Sequence, residues 1–244
     1  MKQNKYDDPA FFDKYSQMPR SVHGLAGAGE WKTLEKMLPD FNGKRVLDLG
    51  CGYGWHCQYA LAHGAAAVVG VDISTKMLDV AREKTPEKIA YICAPIEDAE
   101  FPPDAFEVVI SSLAFHYVED FVGVARKVFS WLTGGGAFVF SVEHPVFTAQ
   151  GTQDWVRDTD GNILHFPVDH YFFEGARETN FLGEKVTKYH RTLTTYVNTL
   201  LQTGFDITGV VEPQPPKAML EIYEGMKDDL RRPMMLILSA HKRA

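Results

Sequence analysis

Along residues 45–143 the hydrophobic pattern switches between short apolar runs and apolar positions at helical spacing. Runs at 45–50, 67–72, 89–93, 106–111 and 137–142 are bounded by turn residues and rich in Val, Ile and Phe, which predicts strands. Helices are expected between them at about 55–63, 74–84 and 120–132. Gly64 and Pro86 close the first two, and Ser74 caps the second, with Met77, Leu78 and Ala81 on its inner face. Strand and helix alternate throughout, which predicts a doubly wound, mostly parallel α/β sheet with helices on both faces.

The flanks follow other patterns. Residues 9–40 read as a helical cap: Trp31, Leu34, Met37 and Leu38 share one helix face, a loop with Gly24, Gly27 and Gly29 precedes them, and Pro39 and Asn42-Gly43 end the helix. Residues 144–190 are dense in aromatics and carry Asp160-Gly161, a hairpin signal, so antiparallel strands are expected there. A helix at about 192–203 ends at Gly204, and strands follow at 205–211 and 234–241. Between them Pro213, Pro215 and Pro216 start a charged, exposed connection. The whole is expected to be a single domain over 1–244: a cap (1–44), a βα core (45–143), a lid insertion (144–190) and a C-terminal part (191–244).

Composition narrows the class. Apolar residues make up 45% and charged residues 23%, as in ordinary globular proteins. No apolar run is long enough to span a membrane, and the first residues lack the apolar core of a signal peptide, so a cytoplasmic location is expected. Three cysteines without paired spacing fit a reducing compartment. The net charge of −7 has the wrong sign for a protein that lives on phosphate backbones, and no nucleic-acid partner is expected. No His-Glu-x-x-His or comparable cluster occurs, so no metal site is expected.

The candidate chemistry sits at Asp48-Leu49-Gly50-Cys51-Gly52-Tyr53-Gly54, directly after the first strand. Glycines there let a ligand approach bare backbone. Their Gly-x-Gly-x-Gly spacing differs from the Gly-x-Gly-x-x-Gly of dinucleotide sites, where a helix N-terminus receives a pyrophosphate. A carboxylate at Asp48 would repel a pyrophosphate and suit a cofactor with a cationic head. S-adenosylmethionine has an ammonium, a sulfonium and no phosphate. Asp72, ending the second strand about twenty residues on, is placed to accept ribose hydroxyls.

Together with Val71-Asp72-Ile73-Ser74, Ala94-Pro95-Ile96-Glu97-Asp98 and Ser111-Ser112-Leu113-Ala114-Phe115-His116-Tyr117, this motif resembles the class I S-adenosylmethionine-dependent methyltransferases. The resemblance covers about 45–143 and 192–241. It implies a Rossmann-like seven-stranded sheet with an antiparallel last strand, and methyl transfer by in-line displacement at the sulfonium with S-adenosylhomocysteine leaving. It implies that Gly50 and Gly52, with Cys51, pass along the methionine part of the cofactor and that Asp72 holds the ribose. Ile73 would lie on the adenine, Ile96 and Glu97 at its edge, and Leu113 near the reactive methyl.

Tyr15 and Arg20 of the N-terminal arm are placed to fold over the pocket. His116, past the fourth strand, is the best-placed candidate for a general base, and His144 before Pro145 is a second. A small, partly apolar acceptor under the 144–190 lid is expected, in a monomer or homodimer. The rival readings are a non-catalytic S-adenosylmethionine-binding module and a nicotinamide-dependent oxidoreductase.

Overall fold

The computed structural model describes residues 2–85, 88–223 and 225–244. Pro86, expected to close a helix, lies outside them. The chain opens with a 3-10 turn, Lys5–Asp7, and helices α1 (Pro9–Ser16), α2 (Pro19–His23) and α3 (Trp31–Met37). Asp8 caps α1 by accepting from the amides of Ala10 and Phe11, and Pro9 occupies its first turn, where no amide is needed. The glycine loop before α3 is tighter than expected, because Gly24–Gly27 closes into a 3-10 turn.

Next come β1 (Arg45–Leu49), α4 (Trp55–Ala62), β2 (Ala67–Asp72), α5 (Thr75–Lys84), β3 (Ile89–Cys93), β4 (Phe106–Ser112), α6 (Phe121–Trp131) and β5 (Leu132–Glu143). As expected, the Ser74 hydroxyl caps α5 by accepting from the Met77 amide. β5 departs from expectation by starting at Leu132 and running through Gly134-Gly135-Gly136. Its register against β4 jumps from Phe106↔Leu132 to Val108↔Ala137, so the glycines form a bulge inside one strand.

The remaining elements are α7 (Pro145–Thr148), β6 (Val156–Arg157), β7 (Ile163–His165), β8 (Gly175–Phe181), β9 (Glu184–His190), α8 (Leu193–Thr203), β10 (Phe205–Val211), α9 (Lys217–Ile222) and β11 (Met235–Lys242). The Asp160-Gly161 hairpin forms between β6 and β7, and a longer one joins β8 to β9. The proline-led connection, expected to be charged and exposed, holds α9, whose Met219 is buried, and the 3-10 turn Met226–Arg231, none of whose residues is buried.

β1, β2, β3, β4, β5, β10 and β11 make a seven-stranded sheet in the order β10-β11-β5-β4-β1-β2-β3, in which β11 runs antiparallel to both neighbours. One face buries Phe121, Val128 and Trp131 of α6 and Tyr196 and Leu200 of α8. The other takes Cys57 and Ala60 of α4 with Leu78 of α5, and Trp31 and Leu34 of α3 cover Val139 and Ile237. This is the doubly wound seven-stranded sheet with one antiparallel strand that the resemblance implies. The strand order reverses at β1, between β2 and β4, and a sheet of this kind binds ligands outside the strand ends at that point. No helix among the described residues is long and apolar enough to cross a membrane.

Candidate active site

At the reversal point the segments after β1, β2 and β4 and the end of β5 converge on a cavity of about 610 Å³, within the usual range for a small-molecule site. Gly50 and Gly52 line it, both at positive φ, +76° and +52°. A Cβ on Gly50 would sit 2.4 Å from that of Ala114, whereas one on Gly52 would meet nothing within 4 Å. The two glycines thus serve different ends: Gly50 permits packing, and Gly52 keeps the cavity open.

Asp72 lines the cavity at the end of β2. Its Oδ2 accepts from the Gly52 amide at 2.8 Å and its Oδ1 from the Ser74 amide at 2.9 Å, so the carboxylate is fixed before any ligand arrives. Burial pushes its pKa up, and the amides of Ser74 and Gly52 oppose that. Ile73, Ile96, Glu97 and Leu113 complete this end. Leu113 has φ +52°, unusual for a residue with a side chain. Its amide donates to the Ser141 carbonyl at 2.9 Å, which holds that conformation.

Two expected members lie elsewhere. Asp48, 1% exposed, is absent from the cavity wall. Its Oδ2 accepts from the Cys57 thiol of α4 at 3.3 Å, and burial pushes its carboxyl up to about 7. The reason is strand alternation: Leu47 and Leu49 enter one core face, which leaves Asp48 on the other with α4. Cys51 is also buried away from the cavity, and its Sγ lies 2.9 Å from where a Gly70 Cβ would stand. A Cys51 side chain therefore packs only because β2 has a glycine there.

Tyr15 and Arg20 do reach the cavity. The arm is held down by Asp7, whose Oδ1 accepts from the Ser74 hydroxyl at 2.6 Å and the Lys76 amide at 3.1 Å, and by Lys2, 2.6 Å from Asp98. Arg20 Nη2 lies 2.5 Å from Oε1 of Glu30, a carboxylate that is 2% exposed.

The far end of the cavity was only partly foreseeable. His116 lines it, but burial pushes the imidazole down to about 4. Its Nδ1 accepts from the Glu143 amide at 3.4 Å, which leaves the proton of the neutral ring on Nε2. The ring as placed offers a donor, not a base. His144 is not in the cavity wall: its Nδ1 caps α7 by accepting from the Val146 amide at 3.0 Å, and its Nε2 lies 2.9 Å from Glu212.

Residues given no role by sequence reasoning form much of this end: Tyr6 and Tyr117, with hydroxyls 3.4 Å apart, Phe181 and Tyr189 of the β8–β9 hairpin, and Glu143. Glu143 accepts from Lys188 Nζ at 2.6 Å and from the Gln153 amide nitrogen at 2.8 Å. Burial pushes its carboxyl up, but His116, Lys188 and Gln153 outweigh that and hold it below its ordinary pKa. Arg191, 7% exposed, donates to the Glu119 carbonyl at 2.7 Å and to the carbonyls of Phe115 and Val118, pinning the loop that carries His116 and Tyr117. Glu143 had a signal, being an acid at a strand end like Asp72. Lys188, in an alternating charged run, had none.

Comparison with known proteins accords with this geometry. Residues 47–140 match the family model of a methyltransferase domain. A solved structure from Listeria monocytogenes, assigned to the S-adenosylmethionine-dependent methyltransferases, is 55% identical with a TM-score of 0.86, over 91% of this chain and 100% of that one. A ubiquinone biosynthesis O-methyltransferase from Neisseria meningitidis serogroup C is 31% identical over 64% of this chain and 86% of its own. A tRNA U34 carboxymethyltransferase from Shewanella woodyi is 30% identical over 66% of this chain, which spans 48% of that protein. With a matching fold and full-length similarity to the Listeria chain, this chain belongs to the class I S-adenosylmethionine-dependent methyltransferases, enzymes that use that cofactor.

Proposed function

We propose that the enzyme methylates a small, partly apolar acceptor held between the N-terminal arm, the β8–β9 hairpin and the ends of β4 and β5. The observation that carries this reading is the continuity of one cavity, from Gly52 and Asp72 at one end to Tyr117, Glu143 and Phe181 at the other. When bound, S-adenosylmethionine supplies a methyl group already activated on a sulfonium. What the chain adds is alignment and exclusion of water.

Bare backbone at Gly50 and Gly52 would border the methionine part, and Asp72, already oriented by two amides, would receive the ribose hydroxyls. Ile73 and Ile96 offer apolar faces to the adenine and Glu97 an acceptor at its edge. Arg20, braced by Glu30, offers a cation to the cofactor's carboxylate, with Tyr15 beside it. Leu113 would stand near the reactive methyl. His116 would donate to the acceptor through Nε2. With His116 near 4 and Glu143 held low, neither is matched to removing a proton at neutral pH. The acceptor atom accordingly brings its own free lone pair. Residues 1–244 are read as one domain working in the cytoplasm.

A nucleic-acid acceptor is the second reading, because the Shewanella relative is a tRNA U34 carboxymethyltransferase. The net charge of −7 and a cavity roofed by the arm and the hairpin favour the small molecule. The test is incubation with methyl-labelled S-adenosylmethionine and, separately, the low-molecular-weight fraction of a cell extract and total tRNA. Label in the small fraction supports the proposal, and label confined to tRNA overturns it.

A further inference from the structure

Two rings in the cavity wall show what surroundings an acceptor meets there. His116 and Tyr117 are neighbours, with ring centres 4.4 Å apart, and both border the same end of the cavity as Glu143. Burial pushes the His116 imidazole down to about 4, so at neutral pH the ring is uncharged and one nitrogen keeps its lone pair. Burial, and after it Glu143, pushes the Tyr117 hydroxyl above its ordinary value, so the phenol keeps its proton.

Acceptor classes separate on this ground. An incoming phenol or alcohol stays protonated like Tyr117, and neither His116 nor Glu143 is matched to taking that proton. A carboxylate or thiolate brings a free pair together with a negative charge, which would meet the acids of the wall. Glu143 is held below its ordinary pKa and is ionised, and Glu119 accepts from the Tyr189 hydroxyl at 3.4 Å rather than from a cation. The cation that pairs with Glu143, Lys188, is 3% exposed and does not border the cavity, so the pair turns its acidic end inward. The cations that do border it are already engaged, Lys2 with Asp98 at 2.6 Å, Lys5 with Glu184 at 3.7 Å and Arg20 with Glu30 at 2.5 Å. A neutral ring nitrogen meets neither obstacle.

The aromatic wall suits what such a nitrogen becomes. Tyr6 stands edge-on to Tyr15 at 5.1 Å and 90°, and to Tyr117 at 6.3 Å and 88°, so crossed ring planes line one corner of the cavity. Aromatic rings and a carboxylate together favour a flat cation.

We propose that the acceptor atom is an unprotonated, pyridine-type ring nitrogen and that the product is its N-methyl cation, an inference that rests on the small-molecule reading above. The nitrogen lone pair forms the N–CH3 bond, the S–CH3 bond breaks with its pair left on sulfur, and the positive charge passes from sulfur to the ring. No proton moves. The His116 Nε2–H is left for a substituent on the ring, since a bond to the reacting nitrogen would occupy its lone pair.

The first arm of the test is calorimetry on the full chain saturated with S-adenosylhomocysteine. The probes are N-methylpyridinium and N-methylquinolinium carboxamides, each beside its neutral carbon isostere, methylbenzamide and methylnaphthamide. In at least one pair the cation is expected to bind about tenfold more tightly or better. Tyr117→Leu should reduce that preference, and Tyr117→Phe, which keeps the ring, should retain it. No cation preference in either pair, or one that Tyr117→Leu leaves intact, would overturn the proposal. The comparison in the unaltered protein decides the matter even if the leucine variant does not fold. In the second arm, labelled product from the low-molecular-weight fraction is passed over a cation exchanger at a pH where alkylamines have lost their charge. Retention supports the ring nitrogen. Label that passes through as a neutral ether or ester overturns it while the small-molecule reading stands, and label confined to tRNA overturns both.

Discussion

Asp72 does two jobs with one carboxylate: it receives the Gly52 and Ser74 amides and faces the cavity. Asp72→Ala is expected to weaken S-adenosylmethionine binding by about 1.5–3 kcal/mol, the range for hydrogen bonds to a charged group, and calorimetry with an unchanged dissociation constant would refute that role. Asp48 makes a contrasting prediction. Unfolded, it titrates near the usual 3.9; folded, burial raises it to about 7. Between those values the folded state keeps a proton that the unfolded state has lost. Stability should therefore fall as pH rises from about 4 to about 7 and level off above. Asp48→Asn should lack that decline when urea unfolding is followed across the same window. These two acids were equally visible in the sequence. Only the strand register separates them, because alternation sends Asp48 beneath the loop and the end of β2 leaves Asp72 beside it.

At the scale of the element, the glycine turn and the hairpin carry the predictions. Gly50→Ala would force a Cβ to within 2.4 Å of Ala114, while Gly52→Ala would point one into open space. The first should therefore lower the melting temperature clearly more than the second, which bears mainly a left-handed backbone cost of about 1 kcal/mol. Gly52→Ala should instead lose cofactor affinity. The β8–β9 hairpin is tied to β5 by the Lys188–Glu143 pair, whose Lys188 side chain is 3% exposed. Lys188→Met leaves Glu143 buried without its cation, and urea unfolding should register a loss of about 3 kcal/mol or more. The core elements were legible because each apolar run and each cap, Ser74 above all, is local chemistry. The glycine bulge in β5 was not, since its register depends on β4, and neither was α9, whose Met219 is drawn into the fold by tertiary burial. The 144–190 segment read as one lid divides in space: β8–β9 walls the active-site cavity, while the β6–β7 hairpin turns to Arg231 and Arg232.

For the whole molecule, the doubly wound sheet carries one continuous cavity at its reversal point and closes it with the N-terminal arm and the β8–β9 hairpin, segments far apart in the sequence. Lys14 of α1 donates to the Leu182 carbonyl at the hairpin tip, and Phe11 packs edge-on to Phe181 at 5.8 Å. Arm and hairpin thus form one roof that no single stretch of sequence announces. The most direct measurement of this arrangement is a crystal structure with S-adenosylhomocysteine bound. Ribose hydroxyls are expected on Asp72, with the sulfur facing the space bounded by Tyr117, Glu143 and Phe181. A ribose held away from Asp72, or a sulfur turned to open solvent, would contradict this arrangement.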